Sequence, residues 1–354
     1  MRFLPSEEQA ALRDAARAFL AGQPGPHTLA EQGAAYDPAV WAAIVEQQGW
    51  QAIQVPEAAG GWGFGLVEAA LVFEEAGRAL TPSPLFGTCA LATSALLLLG
   101  DAAQQAAHLG AIAAGGTATA ALDAGLRATE VEGGWRLEGA AERVVDGDSA
   151  DLLVLGADAG VFVVPRALCA VERVPSLDPT RPLARVTVAV ELPAEARLAG
   201  RDVEAASLRA AVLLAAEQVG GAEAMLDLTV EHAKARVQYG RPIGSFQAVQ
   251  HTCADMLVAV ESARSATWYA AAAWDAGLPD AALAARTAKA MASDACFRVA
   301  GAAIQVHGGI GFSWEHVAHL HFKRARAGLV LLGAPAAHRA RVAAALVAGE
   351  APWT

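Results

Sequence analysis

The sequence predicts an α+β chain in three blocks: an all-helical segment over residues 1–115, a small antiparallel β unit over 116–201 and a four-helix bundle over 202–354. Three observations predict it. Apolar residues recur at helical spacing through the first third. The periodicity then changes to short apolar runs parted by turn residues. Long amphipathic stretches with short connections fill the remainder. A chain of 354 residues that is 55% hydrophobic and 18% charged has material for two or three domains with a large buried core, which excludes a disordered chain.

Each block is marked locally. Ser6-Glu7-Glu8-Gln9 is a capping-box pattern, followed by Leu12, Ala16, Phe19 and Leu20 at helical spacing. Residues 41–49 give another helix, and Val55-Pro56-Glu57-Ala58-Ala59-Gly60-Gly61 interrupts the pattern as a loop. Helical spacing resumes over 66–77 and over 90–109. In the middle block, Glu132-Gly133-Gly134-Trp135 reads as a hairpin turn between residues 129–131 and 135–137. Further strands are expected at 152–155, 161–164, 171–174 and 186–190, with a stiff turn at Leu177-Asp178-Pro179-Thr180-Arg181-Pro182. Residues 207–237, 248–277 and 280–307 are three long amphipathic stretches, and 336–349 supplies a fourth helix.

The formal net charge of −11 argues against non-specific nucleic-acid binding, yet a few local arginines suffice to hold a pyrophosphate in an acidic protein. The apolar runs at 90–99 and 212–216 are too short to span a membrane, and Met1-Arg2-Phe3-Leu4-Pro5 contains no apolar signal region. Cys89, Cys169, Cys253 and Cys296 are far apart in sequence and read as reduced thiols of a cytoplasmic protein.

Two segments carry chemistry. In Arg236-Val237-Gln238-Tyr239-Gly240-Arg241-Pro242-Ile243-Gly244-Ser245-Phe246-Gln247, an arginine ends a long helix, a Gly/Pro-rich turn follows and Phe-Gln opens the next helix. A helix start offers free N–H groups and positive dipole character, so Arg236 and Gln247 beside it make a pyrophosphate cradle. The alternative is a plain turn with a capping glutamine. In Gln305-Val306-His307-Gly308-Gly309-Ile310-Gly311-Phe312, the glycines end a helix and admit close backbone approach, whether as a cap or as a contact for a neighbour's cofactor.

Together these segments resemble the signatures of acyl-CoA dehydrogenases, an Arg-x-x-Phe/Tyr-Gly…Phe-Gln turn followed by a Gln-x-x-Gly-Gly-x-Gly helix end. The N-terminal pattern agrees, with Trp41, Gly49-Trp50, Val55-Pro56-Glu57, Gly60-Gly61, Gly63 and Gly65, then Glu74-Glu75 and Gly77. The resemblance implies a helical domain, a β domain and a four-helix bundle enclosing FAD and an acyl-CoA. It implies that Arg236, Tyr239, Gln247, Gln305, Gly308, Gly309 and Gly311 contact the adenosine diphosphate end of FAD belonging to a partner subunit.

The implied reaction removes the α-hydrogen of a thioester as a proton and passes the β-hydrogen to the flavin as hydride. It needs a carboxylate base at the α-carbon. The family places this glutamate in one of two segments, which here read Leu331-Leu332-Gly333-Ala334, with Leu332 at the glutamate position, and Leu208-Arg209-Ala210-Ala211. Neither contains a carboxylate. Glu217, two turns along the same helix, and Glu315 are the replacement candidates; a buried Glu217 paired with a partner's arginine is the competing reading. His316, His319 and His321 read as surface or interface residues rather than a metal site, since no Cys or Asp stands among them.

The family's Thr-Glu-Pro-x-x-Gly-Ser-Asp and Trp-Ile-Thr/Ser stretches, which touch the flavin, are replaced by Ala121-Leu122-Asp123-Ala124-Gly125 and Arg143-Val144-Val145-Asp146-Gly147. This combination, with the stretch from Phe312 to Ala325, resembles the poorly catalytic subunits of actinobacterial heterotetrameric acyl-CoA dehydrogenases acting on steroid side-chain CoA thioesters. Three expectations follow. In the first, the chain is a subunit that supplies adenosine diphosphate contacts while a second dehydrogenase subunit supplies the base. In the second it is a self-sufficient homo-oligomeric flavoenzyme with a relocated base at Glu217. In the third it is a scaffold without flavin.

Overall fold

The computed structural model describes residues 5–33 and 36–349; the reading of an absent signal region at residues 1–4 lies outside the described residues. Along the chain come α1 (Glu7–Ala21), α2 (Pro26–Gln32), α3 (Pro38–Ala43), α4 (Leu66–Ala79), α5 (Thr93–Leu99) and α6 (Ala102–Ala113). The strands are β1 (Ala118–Val131), β2 (Gly134–Val145), β3 (Leu152–Ala157), β4 (Gly160–Pro165), β5 (Ala170–Val174) and β6 (Leu183–Pro193). Then follow α7 (Val203–Ala235), α8 (Gln247–Asp275), α9 (Ala281–His307), α10 (Ala318–Val330) and α11 (Pro335–Ala348). No single helix among the described residues is long and apolar enough to cross a membrane. The chain divides into two compact units.

One unit comprises the N-terminal segment to Thr28, Leu66–Thr81 and everything from Ala211 onward. The capping box at the start of α1 forms as expected: the Gln9 N–H donates to Ser6 Oγ at 3.2 Å and the Ser6 N–H donates to Gln9 Oε1 at 2.9 Å. The N-terminus of α4 is capped from far along the chain. The Leu66 and Val67 N–H groups donate to the Asp275 carboxylate at 2.8 and 3.0 Å. Helices α4 and α7 meet backbone to backbone, because a Cβ on Gly77 would stand 1.9 Å from the Glu217 carbonyl oxygen and one on Gly220 1.7 Å from that of Glu74. Adding that methyl forces the helices apart. Gly220→Ala is expected to cost about 1–3 kcal/mol, read as a lower midpoint in urea denaturation; an unchanged midpoint would show that the crossing yields freely.

Around this crossing lies an ion network. Arg264 reaches Glu74 at 2.9 Å and Glu223 at 2.8 Å, and Arg17 reaches Glu75 at 2.7 Å. Burial pushes the Glu74 carboxyl upward while Arg264 opposes that shift. Helix α9 is the packing centre of the C-terminal helices, with α8, α10 and α11 against it. Its buried face is mostly alanine, which lets neighbours approach closely.

The four stretches expected for the C-terminal bundle form as α7, α8, α9 and α11, and α10 adds a helix that periodicity did not reveal. Its inward face carries His319 and His321 among its buried residues, so polar side chains mask the apolar stripe. The reading of His319 and His321 as surface residues is likewise corrected: they are 7% and 5% exposed.

The other unit comprises Leu29–Gly65 and Pro82–Ala210. Its sheet has the order β4-β3-β1-β2-β6-β5. Leu126, Leu137, Val144, Leu153, Leu155, Phe162, Val164, Val186 and Val188 form the core of this unit. The expected hairpin is present, with Val131 opposite Gly134 and Glu130 opposite Trp135; Gly133 takes φ 80°, which its turn position requires. The expectation of an antiparallel unit holds for four pairings and fails for one: β1 and β3 run parallel. The cause is connectivity. The chain turns back along β2, then crosses to the other edge of β1, so the next strand points the way β1 does.

Candidate functional site

The segment that opens the candidate site leaves the end of α7 as a tight hairpin. Val237 pairs with Pro242 and Gln238 with Arg241, while the Ile243 N–H returns to the Arg236 carbonyl at 2.8 Å. Tyr239 and Gly240 both take positive φ, 52° and 77°, the signature of a mirror-image turn. Tyr239 holds this unfavourable backbone while 91% exposed, so packing within the described chain does not explain its side chain. The Arg241 guanidinium lies 4.1 Å from the Phe246 ring centroid, and Tyr239 meets the same ring edge-on at 6.2 Å. Gln247 opens α8, and among the described residues no side chain caps that helix.

The second segment ends α9. Gly308 takes φ 65° and ψ −140°, a combination almost confined to glycine. Gly309 faces open space. A Cβ on Gly311 would stand 3.0 Å from the Ile304 carbonyl oxygen, a tight fit against its own helix whatever it binds. Gln305 is exposed on the last turn.

A histidine stack joins the two segments. His232, in the last turn of α7, stacks on His307 at 4.4 Å between centroids and 28° between planes, and His316 tilts against His307 at 4.5 Å. Arg236 stands one turn beyond His232, its N–H bonded to the His232 carbonyl, and Gly308 follows His307 directly. The arginine turn and the glycine turn are therefore neighbours. Among the described residues, the side chains of Arg236, Gln247 and Gln305 make no hydrogen bond or ion pair. An exposed arginine with no internal anion, beside uncrowded glycines, fits a diphosphate. Local spacing alone does not assign the histidines to the site; their signal in the sequence is the four-residue spacing of His232 from Arg236 and the place of His307 directly before Gly308.

The candidate base positions are differently placed. Leu332 sits in the turn between α10 and α11 at φ 55°, and its carbonyl accepts from His338 Nε2 at 2.9 Å. Residues 208–211 are buried, and Arg209 Nη1 donates to Ser94 Oγ at 3.2 Å. Glu217 is buried and accepts from Arg324 Nη1 at 2.8 Å, so its partner is an arginine of the same chain. The cavity beside it, lined by Gln218, Cys296, His321 and Gly328 among others, measures about 10 Å³. That is room for one water and none for a thioester. Burial, with Glu217 nearby, pushes the Cys296 thiol up to about 12, which keeps it protonated. Glu315 is exposed; hydrogen bonds from its own backbone and from Ser313 hold its carboxyl below the ordinary range, the wrong direction for a base poised near neutrality.

In the β unit, the segments at residues 121–125 and 143–147 make contacts within the fold. Residues 121–125 run within β1, where the register slips between Ala121 and Leu126 and Gly125 takes φ 65°. The Val145 carbonyl accepts from the Thr119 hydroxyl at 2.7 Å, and Asp146 Oδ2 accepts from the Gly87 N–H at 3.0 Å. Among the described residues no group of three His, Cys, Asp or Glu side chains is arranged to hold a metal ion.

Known proteins match this chain in sequence and in fold. Residues 6–116 match the acyl-CoA dehydrogenase N-terminal domain and residues 204–347 the acyl-CoA dehydrogenase C-terminal domain. The acyl-CoA dehydrogenase IpdE2 of Mycobacterium tuberculosis is 39% identical over 335 residues, covering 94% of this chain and 95% of that protein. The ChsE4–ChsE5 complex from Mycobacterium tuberculosis superimposes with a TM-score of 0.88 at 27% identity, covering 98% of this chain and 99% of that one. A variant of the Tcur3481–Tcur3483 steroid ACAD does so with a TM-score of 0.87 at 28% identity, covering 97% and 99%.

Proposed function

Since the chain belongs to the acyl-CoA dehydrogenase family, oxidoreductases that bind FAD, we propose that it works as the subunit of a heteromeric dehydrogenase that supplies adenosine diphosphate contacts rather than the catalytic base. The observation that carries this reading is the missing carboxylate. Leu332 and residues 208–211 stand where the family has its glutamate, and Glu217 is bound to Arg324 beside a cavity too small for substrate. In the proposed assembly FAD supplies the hydride acceptor, and Arg236, Tyr239, Gln247, Gln305 and the turn at 308–311 hold its diphosphate and adenosine end for the neighbouring subunit. That neighbour, a second acyl-CoA dehydrogenase chain, brings the base and the acyl pocket. Two similar structures, one a complex of two differently named chains and one a steroid ACAD, support a heteromer acting on a steroid-derived acyl-CoA.

Bound flavin per chain, measured by visible absorbance alone and after co-expression with a dehydrogenase encoded beside this gene, tests the proposal. Flavin should appear only in the co-purified complex, at one per two chains. One flavin in each isolated chain would restore the homomeric reading. In the complex, Arg236→Ala should weaken flavin retention by about 1.5–3 kcal/mol, the worth of a hydrogen bond to a charged group. Unchanged flavin content in that variant would remove Arg236 from the site.

A further inference from the structure

We propose that the His232–His307–His316 stack is the floor of the anion site and that an incoming diphosphate is bound there together with one proton taken up from solvent. The inference rests on the reading that Arg236 and the glycine turn receive the diphosphate of FAD.

Five of the nine histidines gather around this floor. Beyond the three stacked rings, His27 from α2 meets His319 of α10 at 5.6 Å and Trp314 at 5.9 Å. The hydrogen bonds distinguish the rings. His307 donates from Nδ1 to the Ala303 carbonyl at 2.7 Å, so its Nε2 takes a proton without breaking any bond. His316 accepts the Ala318 N–H on Nδ1 at 3.2 Å, and protonation there would cost that bond. The His232–His307 pair is therefore where a proton is held.

The surrounding charges explain why the pair needs an anion. Arg236 lies one turn beyond His232, and Lys323 of α10 stands 5.4 Å from the Trp314 ring. Lys234 is neutralised by Glu231 at 2.8 Å, and Glu315 is exposed on the turn that carries His316. Among the described residues no carboxylate forms an ion pair with any of the five rings. Burial lowers the proton affinity of His232 and of His316, and the neighbouring rings, with Arg236 beside His232, lower it further. Both effects favour the neutral form of His232 and of His316. A diphosphate at Arg236 brings the missing counter-charge and reverses the balance. His232 and His307 meet face to face while His316 tilts against His307, and among the described residues no group of three His, Cys, Asp or Glu side chains is arranged to hold a metal ion, so the cluster does not resemble a metal site.

The test uses the full chain, labelled with ¹³C at histidine Cε1 and with ¹⁵N at glycine, and millimolar ADP-ribose as probe, because its diphosphate diester does not titrate near neutrality. The His232 and His307 resonances should move to the protonated position at pH 7 when ADP-ribose is added. Affinity should fall as pH rises from 6 to 8, approaching tenfold per unit where one proton is taken up. His232→Gln, checked for an unchanged circular dichroism spectrum, should flatten that dependence, and His307→Gln provides the second variant. Resonances of the glycine turn that respond to ADP-ribose while both histidines titrate unchanged would overturn the proton linkage and leave the site standing. No response at any pH would overturn the site and the linkage together.

Discussion

Arg324→Ala should lower the stability of the chain by about 3–5 kcal/mol, the cost of stripping a buried ion of its partner. The Arg324 side chain is 12% exposed and that of Glu217 6%, with 2.8 Å between Nη1 and Oε1, so water replaces little of the lost contact. Removing the guanidinium leaves the carboxylate beside Cys296, Gln218 and a cavity that admits a single water. Glu217→Gln should cost less, because an amide oxygen still accepts from Arg324. Urea denaturation followed by circular dichroism reads both. Replacing the two residues together by leucine should recover much of the loss, since the penalty comes from an orphaned charge. The same variants separate the roles of Glu217. A structural glutamate gives a shifted midpoint and a co-purified complex that still turns over after Glu217→Gln. A catalytic one gives a normal midpoint and a dead enzyme. An unshifted midpoint in Arg324→Ala would show that the pair contributes nothing to the fold.

What the sequence disclosed follows from what each signal depends on. The capping box at Ser6, the glycine turn at residues 132–135 and the long helices in the C-terminal third depend on local spacing, and they stand where spacing put them. The helix α10 was missed because its identity depends on partners. His319, His321 and Arg324 look like surface residues until Glu217 and the Trp314 carbonyl are brought to them by the fold. The parallel pairing of β1 with β3 was missed for a similar reason, since strand direction is set by the path of the chain between strands and not by alternation within one. In the candidate site, the arginine turn and the glycine turn were each legible from glycines and helix ends. Their junction was not, because a ring stack between residues 75 positions apart leaves no periodic trace.

Lys289→Met should also be strongly destabilising, and its cost should grow with pH. Lys289 is fully buried, and its Nζ donates to Ser293 Oγ at 2.8 Å and to the Gly328 and Leu329 carbonyls at 3.0 and 3.2 Å. Those carbonyls belong to the last turn of α10, where a cation complements the helix dipole and satisfies acceptors the helix leaves open. Methionine fills similar volume but strands the buried Gly328 carbonyl and the part-buried Leu329 carbonyl, at about 1–3 kcal/mol for a buried group left unsatisfied. Burial pushes the Lys289 ammonium down to about 7. An unfolded lysine titrates near ~10.4, so between these values the unfolded chain holds a proton that the folded chain lacks. Stability from this group is therefore complete above the unfolded value and is lost as pH falls toward the folded one, at up to about 1.4 kcal/mol per pH unit. Methionine has no such dependence. The difference in stability between the two proteins should widen from pH 7 to pH 9 in parallel urea titrations. A constant gap would mean that the three acceptors keep the ammonium charged throughout that range, in which case Lys289 anchors the end of α10 as a permanent cation. In either case the turn at residues 331–334 begins from that anchored end, so loosening it should disorder the segment that holds Leu332.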